Sequence, residues 1–97
     1  MSTRVILITG ANGALGQAIA RAFLTESPEN GVWLGVHSRR DRADELASEH
    51  ERRCRVVPLD VTSRESWRTA VEGILKESGR LDILVNNAGC TRTVCWG

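Results

Sequence analysis

Tyrosine is absent from this chain of 97 residues, lysine and phenylalanine occur once each, and proline occurs twice. Long apolar runs are missing as well. The one near the amino terminus, Val5 to Ile8, has four residues, too few for a signal-peptide core or a membrane span. A cytoplasmic protein with no membrane partner is therefore expected. The three cysteines, Cys54, Cys90 and Cys95, contain no CxxC pair, and their odd number leaves at least one unpaired, which argues against a disulfide framework. His37 and His50 lack metal-ligand spacing relative to them, so no metal site is expected and the thiols read as ordinary ones in a reducing compartment. Charge excess is also lacking: 13 basic and 12 acidic residues give a formal charge of +1. Nucleic-acid modules carry a clear basic excess on one face, and no such partner is expected. Twelve of the 13 basic residues are Arg, a bias compatible with coding DNA rich in G and C.

A hydrophobic content of 41% with 26% charged residues describes one globular domain. A chain this short hides only roughly 60–65% of its unfolded surface, so an incomplete architecture sits near the stability limit. Two periodicities alternate along it. Arg4 to Thr9 is a β-branched and aliphatic run ending at Gly10, the pattern of a strand covered on both faces. From Ala14 the spacing becomes helical, with Ala14, Leu15, Ala18, Ile19, Ala22 and Phe23 as the expected inward stripe and Pro28 and Gly31 as the stop. Val32 to Val36 reads as a second strand. A weaker helix runs to about Glu51, capped by Asp41 or a neighbour, with Ala43, Leu46 and Ala47 inward.

Arg55 to Leu59 reads as a third strand, where Pro58 is tolerable if its nitrogen faces no ladder partner. Thr62-Ser63-Arg64-Glu65 has the form of a capping box. The helix it opens buries Trp67, Ala70, Val71, Ile74 and Leu75 and stops at Gly79, and Leu81 to Val85 forms a fourth strand. The sum is β-α-β-α-β-α-β with short connections: an α/β fold of the doubly wound Rossmann type, with parallel strands and right-handed crossovers.

Chemistry is carried by Thr9-Gly10-Ala11-Asn12-Gly13-Ala14-Leu15-Gly16, between the first strand and the first helix. Glycines at 10, 13 and 16 let the backbone turn tightly, approach a pyrophosphate and pack the helix on the sheet. The helix start then offers free amides and the positive dipole end to an anion. Such triplets also occur in plain turns; the flanking strand and helix select the cofactor cradle here. At the end of the second strand, an NAD-binding fold usually places an acid for the ribose hydroxyls, whereas this chain has Ser38-Arg39-Arg40. Two guanidinium groups suit a 2′-phosphate, which favours NADP(H) over NAD(H). The alternative is that both arginines are solvated loop residues partly neutralised by Asp41.

Three motifs in order make the chain resemble the short-chain dehydrogenase/reductase family: TGANGALG at 9–16, Leu59-Asp60-Val61-Thr62, and Asn86-Asn87-Ala88-Gly89. Ala14 stands at the middle glycine of the TGxxxGxG form, leaving the TGxxGxxG spacing of the extended branch, while NNAG is the mark of the short, single-domain branch. The resemblance implies a dinucleotide held by Gly10, Asn12, Gly13, Leu15 and Gly16, with Ser38, Arg39 and Arg40 beside it. Asp60 is expected on the adenine amino group and the Val61 amide on the ring. Asn86, Ala88 and Gly89 are expected to line the ribose and brace the sheet. It also implies carbonyl or hydroxyl hydride transfer, closest in look to 3-oxoacyl-acyl carrier protein reductases.

The resemblance spans about Thr3 to Arg92, the first portion of the family's domain. The family's catalytic Ser, Tyr and Lys lie beyond it, and Lys76 follows no such motif, so no catalytic residue is expected in this chain. Without a proton donor, hydride transfer forgoes a factor of about 10²–10⁴. Thr93-Val94-Cys95-Trp96-Gly97 is the reading obtained when one base is removed from codons for Asp-Gly-Leu-Leu-Gly. Residues 1–92 are accordingly read as a truncated NAD(P)-binding domain and 93–97 as an out-of-frame tail, the alternative being a chance tail on a genuinely short protein. The family's sheet order 3-2-1-4-5-6-7 would leave 81–85 as an apolar edge open to non-specific self-association, with the family's oligomer interface absent. A non-catalytic dinucleotide-binding or regulatory module is the alternative reading.

Overall fold

The computed structural model describes residues 4–87. Ala88, Gly89, Cys90, Cys95 and the 93–97 tail lie outside the described residues. Seven elements alternate: β1 (Arg4–Thr9), α1 (Ala14–Glu26), β2 (Asn30–Val36), α2 (Asp41–Glu49), β3 (Cys54–Pro58), α3 (Arg64–Ser78) and β4 (Ile83–Val85). The sheet is parallel, in the order β3-β2-β1-β4, with Leu7 opposite Trp33 and Leu84. This is the doubly wound arrangement expected from the alternating periodicities.

Both faces of the sheet are buried, which is why β1 and β2 read as continuous apolar runs instead of alternating ones. Ile6 and Ile8 of β1 with Val32, Leu34 and Val36 of β2 pack under α1 and α2 through Ala20, Leu24, Ala43 and Leu46. Val5, Leu7 and Trp33 point the other way, against Ala70 and Ile74 of α3. Cys54 is buried in the first cluster, and burial pushes its thiol pKa up to about 12. No helix among the described residues is long and apolar enough to cross a membrane.

Several local expectations are corrected. The inward stripe of α1 is Gly16, Ala20 and Leu24 flanked by half-buried Ile19 and Phe23, while Leu15 is 60% exposed and Ala14, Ala18 and Ala22 face out. Residue size explains the shift: a glycine with no side chain is the point of nearest approach, so hydropathy alone turned the helix by a residue. Gly31 does not end α1 but sits inside β2 opposite Val5. Instead Arg53 donates to Leu24 O and Ser27 O, and Asn30 Nδ2 to Phe23 O, satisfying the last carbonyls of the helix.

The cap of α3 is Ser63, one residue later than the expected box: its Oγ accepts from Ser66 N at 3.1 Å. Thr62 is engaged elsewhere, donating its hydroxyl to Asp60 Oδ1 at 2.6 Å. Leu75 is 45% exposed, and Gly79 ends the helix at φ 78° as expected. β3 runs one residue earlier than expected and α2 stops at Glu49. Leu59 N donates to Val36 O, so by the alternation of the strand the missing N–H of Pro58 falls on the outer edge. β4 begins at Ile83, since Leu81 packs under α3 and Asp82 accepts from Val5 N through its side chain. Leu84 is 41% exposed on the outer strand of the described sheet.

Two glycines should answer oppositely to Ala. A Cβ on Gly16 would stand 2.5 Å from Gly10 O and 2.8 Å from Ala11 Cα, both backbone atoms, whereas one on Gly73 in α3 meets nothing within 4 Å. Thermal or urea unfolding should show Gly16→Ala destabilised by about 1–3 kcal/mol or more and Gly73→Ala stabilised by roughly 0.5–1 kcal/mol.

Candidate functional site

Gly10 leaves β1 at φ 62°, a left-handed conformation that side chains rarely adopt, and this turns the chain toward α1. The loop is pinned to the sheet by Ala11 N donating to Gly35 O at 3.1 Å. Gly13 precedes α1 without a side-chain cap, and no acid occupies the first turn. Gln17 N, bonded to Gly13 O at 3.0 Å, opens the helical ladder; the amides of Ala14, Leu15 and Gly16 precede it and point out of the helix end. A helix start that the protein neither caps nor neutralises fits an anion such as a pyrophosphate.

Facing this loop is the segment that follows β2. Together they enclose a cavity of about 450 Å³, with Gly10, Asn12 and Gly13 on one wall and Val36, His37, Ser38, Arg39 and Arg42 on the other. No carboxylate is among the described residues that line it. The structure thus brings together Gly10, Asn12, Gly13, Ser38 and Arg39 from the expected set, and adds His37 and Arg42, which the sequence reading passed over. Arg42 had a readable signal: a helix starting at Asp41 puts its second residue in the first turn, beside Arg39. His37 had none beyond its place at the strand end.

Arg40 is not brought to the cavity. Its guanidinium makes three hydrogen bonds of 3.0–3.2 Å to the Asp44 carboxylate four residues on, which raises its pKa further. Asn12 is occupied in a way the sequence did not suggest: its Oδ1 accepts from Arg42 N and Ala43 N, so it, and not Asp41, caps α2. Gly16 is buried behind the loop, and exposed Leu15 stands in the first turn of α1.

Asp60 lies beyond the cavity wall, its Oδ2 3.7 Å from Nε2 of His37. Its Oδ1 accepts from the Thr62 hydroxyl and Thr62 N, and these bonds, then the nearby His37, hold the carboxyl below the ordinary aspartate range. Val61 packs against the α3-side core and its carbonyl accepts from Trp67 Nε1 at 2.9 Å. At the other side, Thr9 Oγ1 donates to Asn86 Oδ1 at 3.0 Å and Asn87 Nδ2 to Gly10 O at 3.2 Å. The pair of asparagines thereby ties the end of β4 to the glycine turn. Ala88 and Gly89 fall outside the described residues, and no cluster of metal-ligating side chains occurs among those described.

A family model described as short chain dehydrogenase matches residues 4–95. The chain belongs to the short-chain dehydrogenase family. That family binds nicotinamide dinucleotides and carries out oxidoreductase chemistry. Among its relatives, the 3-ketodihydrosphingosine reductase of Bacteroides thetaiotaomicron is 38% identical over 89 residues, covering 92% of this chain and 29% of that protein. Among solved structures, a 3-ketoacyl-(acyl-carrier-protein) reductase from Brucella melitensis complexed with NADH superposes with a TM-score of 0.76 at 28% identity. It covers 87% of this chain and 33% of that one. The NADPH-dependent 3-quinuclidinone reductase from Rhodotorula rubra gives 0.71 at 33% identity over 87% of this chain and 32% of its own. The chain therefore spans about a third or less of the length of these relatives.

The depressed carboxyls of Asp60, Asp41 and Asp82 bear on acid stability. Because their folded pKa values lie below the unfolded ones, their contribution is present above the ordinary carboxylate value near about 3.9 and is lost as pH falls through the lowered values. Thr62→Val removes the leading cause at Asp60, so a carboxyl NMR titration should find the Asp60 pKa moved up toward its ordinary value, with those of Asp41 and Asp82 unmoved.

Proposed function

We propose that this chain is an NADP(H)-binding unit of a short-chain dehydrogenase/reductase that transfers hydride between nicotinamide and a carbonyl or hydroxyl carbon. The substrate class favoured is 3-oxoacyl thioesters on acyl carrier protein. One observation carries the cofactor reading: the cavity has an uncapped helix start on one wall and two guanidinium groups, Arg39 and Arg42, on the other, with no carboxylate among the residues that line it. The pyrophosphate rests against the amides of Ala14, Leu15 and Gly16. Gly13 leaves the approach open, since a Cβ there would meet only Gly10 O at 3.7 Å.

Arg39 and Arg42 hold the 2′-phosphate with Ser38 beside them, and Arg40 contributes charge from outside the cavity. Asp60 and Val61 meet the adenine, and Asn86, Ala88 and Gly89 the ribose. The bound nicotinamide supplies or accepts the hydride; the residues here bind and orient it. We assign no catalytic residue within this span, which holds no Tyr and whose one Lys, Lys76, is exposed on α3. The second reading is a dinucleotide-binding or regulatory module without turnover. We place the protein in a reducing cytoplasm.

Fluorescence titration should find NADPH bound more tightly than NADH. Arg39→Ala and Arg42→Ala should each weaken NADPH by about 1–3 kcal/mol with little effect on NADH, and Arg40→Ala should do less than either. Equal affinities for the two cofactors would overturn the reading. NADPH oxidation with a 3-oxoacyl thioester should be undetectable, and measurable turnover would place an acid–base group in this span.

A further inference from the structure

A single side chain joins the two walls of the cavity. From the glycine loop, Asn12 Oδ1 accepts from Arg42 N at 2.7 Å and from Ala43 N at 3.0 Å, and Nδ2 donates to Asp41 Oδ1 at 3.2 Å. Arg40, at the cap position of α2, offers no side-chain cap to the first amides of the helix, its guanidinium being bonded to Asp44. Asn12 does from across the cavity what an N-cap residue does from within the chain.

The arrangement bears on which groups can meet a phosphate. Two amides of the α2 start are consumed by Asn12, so that helix end has less to offer an anion, and the guanidinium groups of Arg39 and Arg42 carry the attraction. The same bonds hold the backbone of Arg42 against the glycine loop. Asp41 is the hazard on this wall: it is the carboxylate next to Arg39 and Arg42 and feels both. The Nδ2 bond holds that carboxylate toward the loop. Released, it could pair with either arginine and cancel the charge a 2′-phosphate needs.

We propose that Asn12 is a positioning residue for 2′-phosphate selectivity, strapping the arginine-bearing turn of α2 to the pyrophosphate loop and keeping Asp41 off the arginines. The proposal rests on the NADP(H) reading above and deepens it. NADH lacks the phosphate that reads the arginines, so loss of the strap should separate the two cofactors, whereas simple loosening of the fold would weaken both alike.

The test is the ratio of NADPH to NADH affinity, titrated by fluorescence on the full chain. Asn12→Ala should lower that ratio by at least about tenfold. Adding Asp41→Asn to Asn12→Ala removes the carboxylate that the lost strap releases and should raise the ratio at least about threefold above that of Asn12→Ala, whereas Asp41→Asn in the unsubstituted chain should change it by less. Should Asn12→Ala fail to fold, Asn12→Ser, too short to span both amides, carries the same expectation. A ratio unchanged in Asn12→Ala, a parallel fall in both affinities, or a folded double variant with a ratio no higher than that of Asn12→Ala would each overturn the role given to Asn12. An unsubstituted chain that binds neither cofactor, or both equally, fails earlier and takes down the NADP(H) reading with it.

Discussion

Between Gly10 O and the place a Cβ on residue 16 would occupy there is 2.5 Å, less than any carbon and oxygen tolerate without a bond. That contact sets the height of α1 over the sheet and thereby the direction in which its free amides point. With the left-handed turn at Gly10, it converts a strand end into a concave surface with a helix dipole at its base. The remaining parts of the site are arranged around that surface. Ala11 secures it to β2, Asn87 secures it to β4, and Asn12 carries it across to α2.

Much of this fold is legible because parallel strands buried on both faces leave a coarse signal. Val5 to Ile8 and Val32 to Val36 can be found by apolar continuity alone, and the helices between them by spacing and by Gly79. What is not legible is orientation at the level of one residue. Glycine carries no hydropathy, so Gly16 does not mark itself as the inward position of α1, and spacing alone points to Leu15 instead. The α3 cap was misplaced by one residue for a similar reason, since Thr62 and Ser63 are both good caps and only the turn at Asp60 decides which hydroxyl is spare.

The site was legible as a set of segments more than as a set of contacts. Gly10, Asn12, Gly13, Ser38 and Arg39 do share a cavity, yet the choice between Arg40 and Arg42 depends on an i,i+4 ion pair and a helix start that motif spacing does not encode. Arg40 is paired with Asp44; Arg42, held through its amide by Asn12, is left to face the loop. Asn12 reads as one more small polar residue of a glycine loop, and its partners lie some thirty positions away. Long-range hydrogen bonds of this kind are invisible to a motif and are what turn two adjacent segments into one binding surface.

The central claim is that the amides at the start of α1 receive the phosphates of a dinucleotide. Backbone amide shifts from two-dimensional NMR, followed as NADPH is added to the isotope-labelled chain, test it most directly. The account predicts that Ala14, Leu15 and Gly16 move most, in step with Gly10 and Gly13, and that α3 amides stay in place. Saturable binding with those three amides unmoved, or no binding at all, would contradict it.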